Sequence, residues 1–244
     1  MGNNLMKTVI AIFILGLSSI CASSSVADVV YGDFAGATVQ FNNVRESSPD
    51  IPDQVSDLFG APVVSGNDLV FTPQQFEAFQ EGTGTNLVDS QLSLSIEALA
   101  GFEITSVTFT EFADYQVSTP FLAGQAAISF SADGFVTSGG VTQADGFVFT
   151  GSGAASAGDS FISGPLTNSF TIDVEPTAVA DLTLSNTLIA SAFSATDAAV
   201  VDKQGVTITV TTQAAGQTTA VPEPSSFGLI ILTAAGLVVR RKRS

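Results

Sequence analysis

Apolar and polar residues alternate with period two over much of the chain. Leu92, Leu94, Ile96 and Ala98 alternate with Ser93, Ser95 and Glu97, and Val206, Ile208 and Val210 with Thr207 and Thr209. The same rhythm runs through Val39 and Phe41 and through Ile128 and Phe130. Successive side chains of a strand point to opposite faces, so each segment predicts a strand with one buried face. Between Ile104 and Val107 the apolar parity slips, which predicts a β-bulge or a bend. Ala132-Asp133-Gly134-Phe135-Val136 recurs as Ala144-Asp145-Gly146-Phe147-Val148, and both Asp-Gly pairs read as tight turns. About ten to twelve strands with turns every 8–12 residues predict an all-β protein, an antiparallel β-sandwich of jelly-roll-like form. A parallel β-helix is the alternative. One segment departs from the β pattern: Thr72-Pro73 ahead of Gln74–Phe79 predicts one short helix over Pro73–Gln80. Ser47–Pro62, with its prolines and aspartates, reads as a long ordered loop. Gly151–Asp159 reads as a flexible surface loop or a poorly constrained strand end, and Thr211–Ala220 as a polar linker.

Both ends have a different character. Lys7 precedes an apolar stretch that runs from Val9 to Ala22 and closes on Ser25-Val26-Ala27. That order is a secretory signal peptide with cleavage between Ala27 and Asp28, and either Met1 or Met6 could start it. Cys21, the only cysteine, falls within this segment. At the other end stand Val221-Pro222-Glu223-Pro224, an apolar run over Phe227–Val239, and Arg240-Arg241-Lys242-Arg243. The prolines fix φ and keep the box extended. The basic residues stay cytoplasmic and orient the preceding domain outside. A helix over 227–239 spans roughly 20 Å against a hydrocarbon core of ~30 Å, which suits a temporary transmembrane hold.

These residues resemble the PEP-CTERM tag of exported bacterial proteins: a Val-Pro-Glu-Pro box, a short apolar helix and an Arg-rich end. The resemblance implies that secretion machinery exports the chain and that an exosortase-type membrane transpeptidase recognises Val221–Pro224 and cuts near it. Glu223 would then be a recognition element. Phe41–Ser47, Leu58–Pro62, Leu69–Pro73 and Glu111–Tyr115 are diffusely similar to an ectodomain found on PEP-CTERM proteins, which implies a non-enzymatic surface protein and names no ligand. The organisation expected is a signal peptide at 1–27, a β-sandwich ectodomain at 28–210, a linker at 211–220 and a sorting tag at 221–244.

Composition narrows the chemistry of the ectodomain. The chain carries seven Lys+Arg against 23 Asp+Glu, a net charge of −16. Between residues 28 and 221 only Arg45 and Lys203 are basic, whereas every acid but Glu223 lies there, so the exported part is more acidic still. Such a domain is repelled by nucleic acid. Histidine and tryptophan are absent and the lone cysteine lies in the signal, which removes Ser-His-Asp and Cys-His catalysis, His/Cys metal sites and any intramolecular disulfide. No enzymatic activity is expected; a carboxylate-pair hydrolase is the least favoured reading.

Calcium, which takes six to eight oxygen ligands, is the cofactor to consider. Glu46 with Asp50, Asp53 and Asp57 forms one candidate ligand set, and Glu111 with Asp114 the other; the alternative for both is a solvated acidic surface with turn-capping aspartates. Arg45 reads as an ion-pair partner of Glu46, tying the strand end to the acidic loop. With only Tyr31 and Tyr115 besides phenylalanine, an aromatic sugar platform is not expected, although a calcium-assisted sugar site stays open. The function expected is therefore an exported structural or adhesive protein of the cell surface or extracellular matrix. The alternative is a calcium-dependent module that binds glycan or another extracellular polysaccharide.

Overall fold

The computed structural model describes residues 28–47, 57–119, 125–154 and 160–216. The signal segment and the sorting tag lie outside them, as do Asp50, Asp53 and most of the 47–62 loop. Twelve strands fill the described residues: β1 (Val29–Ala35), β2 (Val39–Ser47), β3 (Val63–Ser65), β4 (Asp68–Phe71), β5 (Glu77–Glu81), β6 (Gly84–Ala98), β7 (Phe102–Thr119), β8 (Gln125–Ser138), β9 (Val141–Ala154), β10 (Ser160–Thr177), β11 (Val179–Ala192) and β12 (Ala198–Ala214). All pairings are antiparallel, in two six-stranded sheets. One sheet runs β1-β2-β6-β11-β8-β9. The other runs β10-β7-β12-β4-β3, with β5 also on β12 beyond the end of β4. The polar stretch Thr211–Ala214, expected as linker, is the end of β12.

The predicted alternation sets the core. Phe41, Leu92, Leu94, Ile96, Leu182, Leu184, Leu188, Ile128 and Phe130 face inward from the first sheet. Phe71, Val107, Phe109, Val117, Val201, Val206 and Ile208 meet them from the second. The parity slip in β7 is a bulge at Thr105: Thr211 pairs with Ser106 and Thr212 with Ile104, so both Ile104 and Val107 reach the core.

Two further expectations fail, each for a physical reason. There is no helix at Pro73–Gln80. Phe76 and Ala78 are buried while Glu77 and Phe79 are exposed, a period of two, and Glu77–Glu81 pairs with β12 as β5. Tertiary pairing overrides the local helix signal. The two Asp-Gly pairs are not turns. They lie mid-strand and oppose each other, Asp133 with Gly146 and Gly134 with Asp145. The turn of that hairpin is Gly139-Gly140, both with positive φ (56° and 81°), closing Ser138 onto Val141. Two consecutive left-handed residues suit a two-residue hairpin, which is why glycine is needed there.

Gly134 is small for another reason. A Cβ on it would lie 2.7 Å from Phe170 Cε2 and 2.9 Å from Phe109 Cε2, in the plane-on-plane pair those rings form at 4.9 Å. Gly134→Ala is expected to destabilise the domain by about 1–3 kcal/mol through overpacking. Urea unfolding checks this; an unchanged midpoint would show that the ring pair shifts freely.

Candidate functional site

Three polar side chains occupy inward positions in rows that are otherwise apolar. Glu111 stands between Phe109 and Ala113 on β7, Lys203 follows Ala199 and Val201 on β12, and Asn186 stands between Leu184 and Leu188 on β11. Each is at most 1% exposed. Lys203 Nζ donates to Glu111 Oε2 and to Asn186 Oδ1, and Asn186 Nδ2 donates to Glu111 Oε1 at 3.1 Å. The group bridges the sandwich, since Asn186 belongs to one sheet and the other two to its partner. A bulge between Lys203 and Gly205 lets Lys203 point inward and still returns Val206 and Ile208 to the core. The rings of Phe59, Phe76 and Phe130 surround Nζ, with centroids 5.5, 5.7 and 4.9 Å away, close enough for cation–π attraction. Burial pushes the Lys203 ammonium below the ordinary lysine range, against the opposing pull of the Glu111 carboxylate.

Glu46 is the second buried carboxylate with a full set of partners. Oε1 accepts from Leu58 N (2.8 Å) and Ser90 Oγ (2.7 Å), and Oε2 from Phe59 N (3.1 Å) and Tyr31 Oη (2.5 Å). A bulge carries it inward. Asn42 pairs with Ser95 but Arg45 with Ser93, and Asn43 takes a left-handed φ of 53°. The buried parity therefore passes from Val39 and Phe41 to Val44 and Glu46. Arg45 consequently points outward, 4.0 Å from Asp28 across a half-exposed gap, and does not pair with Glu46 as expected. Such an exposed pair contributes little.

The two calcium sets fare as follows. Glu46 has both oxygens taken by donors, Asp57 accepts from Tyr31 Oη at 3.0 Å, and Asp50 and Asp53 lie outside the described residues. Glu111 and Asp114 project from opposite faces of β7, Glu111 to the core and Asp114 to solvent, so the structure does not bring them together. Among the described residues no three acidic side chains are placed to hold one metal ion.

Tyr31 carries a pH dependence. Burial first, and then its hydrogen bond and proximity to Glu46, push its phenol far above the ordinary value of 10.0. The folded chain thus keeps a proton that the unfolded chain gives up above that pH. The native contribution is present below about pH 10 and is lost as pH rises beyond it. Denaturant midpoints measured from pH 8 to 11 are expected to fall for the native chain and to fall less steeply for Tyr31→Phe. Parallel slopes would exclude Tyr31 as the cause.

On the outer face of the second sheet lies a groove of about 450 Å³ lined by Glu77, Asp114, Gln116, Ser163, Asp202 and Gln204, among others. Register places Glu77 (β5), Asp202 (β12) and Asp114 (β7) in one row across three adjacent strands. Like charges directly opposite disfavour one another. Partial burial, and then Asp114, push the Asp202 carboxyl above the usual range, although a hydrogen bond from Gln204 (2.5 Å) pulls it down.

Sequence reasoning grouped Glu111 with Asp114, which the structure does not bring together, and passed over Lys203 and Asn186 as its partners. The signal was present: all three interrupt apolar rows at core parity.

The class defined so far is an antiparallel two-sheet sandwich with a charged cluster sealed between its layers. At residues 220–243 the chain matches the family model of the PEP-CTERM protein-sorting motif, and so carries that motif. The motif implies an exported, membrane-transiting protein recognised by exosortase-type machinery. No curated protein matches the chain. Among solved structures, TmCBM61 in complex with β-1,4-galactotriose aligns over 64% of this chain and 97% of that one, at 13% identity and a TM-score of 0.23.

Proposed function

We propose that the chain is a non-enzymatic structural or adhesive domain delivered to the cell surface or extracellular matrix and processed at its C-terminal tag. The observation that carries this reading is the sorting motif at 220–243. The signal peptide ending at Ala27 supports it, and so does the acidity of the intervening region, which keeps an exported domain dispersed. Val221-Pro222-Glu223-Pro224 is the segment that the membrane transpeptidase would recognise, and Arg240–Arg243 would hold the tail on the cytoplasmic side until cleavage. The strand order β5-β12-β7-β10 facing β6-β11-β8-β9 supports reading the sandwich as a jelly roll. Mass spectrometry of the protein recovered from the cell surface or matrix fraction tests the proposal. The expected species begins at Asp28 and ends near Pro224. A species that retains Arg240–Arg243 in that fraction would instead make it a resident single-span membrane protein.

A second reading is calcium-dependent binding of a glycan or polymer; the groove lined by Gln116, Ser163, Asp202 and Gln204 favours the glycan part, and oxygens of the ligand would have to complete any calcium shell. A glycan array probed with and without calcium decides it. Binding that chelator abolishes supports this reading, and no binding in either condition removes it.

A further inference from the structure

Lys203, Asn186 and Glu111 form a set that the sorting function leaves unused: a nucleophile, a carbonyl carbon with a leaving group, and a carboxyl that touches both. We propose that Lys203 Nζ and Asn186 Cγ become joined by an intramolecular amide bond, with Glu111 as the catalytic proton carrier.

The contacts assign the roles. Nζ is hydrogen-bonded to Asn186 Oδ1, the oxygen carried by Cγ itself. Glu111 receives Nζ on Oε2 and Nδ2 on Oε1, so a single carboxylate spans the attacking and departing nitrogens. The site lies between the sheets, and the rings of Phe59, Phe76 and Phe130 enclose Nζ. Exclusion of water protects the amine from competing solvation and leaves the carboxamide as the electrophile in contact with it. Burial also disfavours the ammonium form, in the direction the reaction needs.

The step balances without an oxidant or a co-reactant. One Nζ proton passes to Glu111 Oε2, which turns the buried ion pair into an amine and a carboxylic acid. The amine lone pair attacks Cγ and the Nζ–Cγ bond forms. Glu111 gives its proton to Nδ2 and accepts a second from Nζ as the Cγ–Nδ2 bond breaks. Ammonia leaves and Glu111 ends protonated. One carbon–nitrogen bond replaces another, and the product loses one ammonia from its mass. General acid–base relay by a positioned carboxyl is an ordinary catalytic role.

The product would tie β12 of one sheet to β11 of the other. A disulfide cannot do this, because Cys21 is the only cysteine and precedes the predicted cleavage site. The proposal concerns the ectodomain alone and stands or falls independently of where the chain is delivered.

Peptide mapping of the purified full chain tests it. Arg45 and Lys203 are the only tryptic sites between residues 28 and 221, and an amidated Lys203 is not cut. Trypsin followed by an acid-specific protease is expected to leave a branched peptide holding residues 186 and 203, lighter by one ammonia than its two linear arms. Cleavage after Lys203, with linear peptides of unaltered mass, would overturn the bond. Glu111→Gln is expected to fold and retain the ammonia. A folded Glu111→Gln chain that still carries the branch would overturn the role given to Glu111. If that variant does not fold, Asn186→Ala keeps the Lys203–Glu111 pair and must yield linear peptides only; a branch in it would place the bond elsewhere. The native measurement depends on neither variant.

Discussion

Lys203→Met is expected to lower the stability of the domain by about 3–5 kcal/mol, because it leaves the Glu111 carboxyl buried without the cation it folds against and removes the amine of the proposed amide. Glu111 cannot recover by exposure: it is fully buried between the sheets, and its remaining partner is the Asn186 amide. The contrast that gives the prediction content is the triple variant Lys203→Met, Glu111→Leu, Asn186→Leu. Replacing every member of a buried polar group with apolar residues is often neutral or stabilising, since no ion then has to be desolvated. Urea unfolding followed by far-ultraviolet circular dichroism is expected to place the single variant far below native and the triple variant well above the single one. The triple variant also separates charge from covalency. It restores charge balance but cannot form the amide across 17 residues, and a cross-link closing a loop of that size contributes about 3 kcal/mol. A triple variant that equals native would therefore show that charge balance accounts for the whole effect. A single variant within about 1 kcal/mol of native would contradict the burial of an unpaired carboxylate.

The parity of the sequence carried most of the fold. The alternations at Leu92–Ala98 and Val206–Val210 are strands with the predicted faces buried, and the slip after Ile104 is the bulge at Thr105. Local signals were misleading where a residue serves a distant neighbour. Gly134 follows an aspartate, as a turn glycine would, yet it is small because Phe109 and Phe170 stack over it. Phe76 and Phe79 have helical spacing, but β12 recruits their segment as an edge strand and leaves Phe79 exposed. The buried cluster was half legible. Phe109-Glu111-Ala113, Val201-Lys203 and Leu184-Asn186-Leu188 each set a polar residue at core parity, which a parity reading could have flagged. That these three meet depends on register between strands as much as 92 residues apart and on the bulge after Lys203, and neither is written locally. Glu46 was obscured by a second bulge, at Asn42–Arg45, which inverts the faces of Arg45 and Glu46.

That inversion makes Glu46 the other position with a large expected effect. Its four accepted hydrogen bonds include two from the backbone N–H groups of Leu58 and Phe59, at the end of the Pro-rich loop. Phe59 is fully buried and packs edge-on against Phe71 (5.8 Å) and Phe76 (5.1 Å), so the bonds at Glu46 also position the ring that flanks Lys203. Glu46→Ala removes the acceptor for both N–H groups at once. Each buried donor left unpaired costs about 1–3 kcal/mol, and the expected loss is about 3 kcal/mol or more. Glu46→Gln is the informative control. Each carboxylate oxygen serves one backbone N–H and one hydroxyl. Ser90 and Tyr31 can rotate to accept from an amide nitrogen, but a backbone N–H cannot. Whichever way the glutamine amide is placed, one of Leu58 and Phe59 loses its acceptor, and an intermediate loss follows. Amide hydrogen exchange at Leu58 and Phe59 reads this directly. Both are expected to exchange faster in Glu46→Ala, and one of the two in Glu46→Gln. If Glu46→Ala instead left both amides protected and its unfolding midpoint at the native value, the segment would be held by Phe59 packing, and Glu46 would be free to serve as a cation ligand after all.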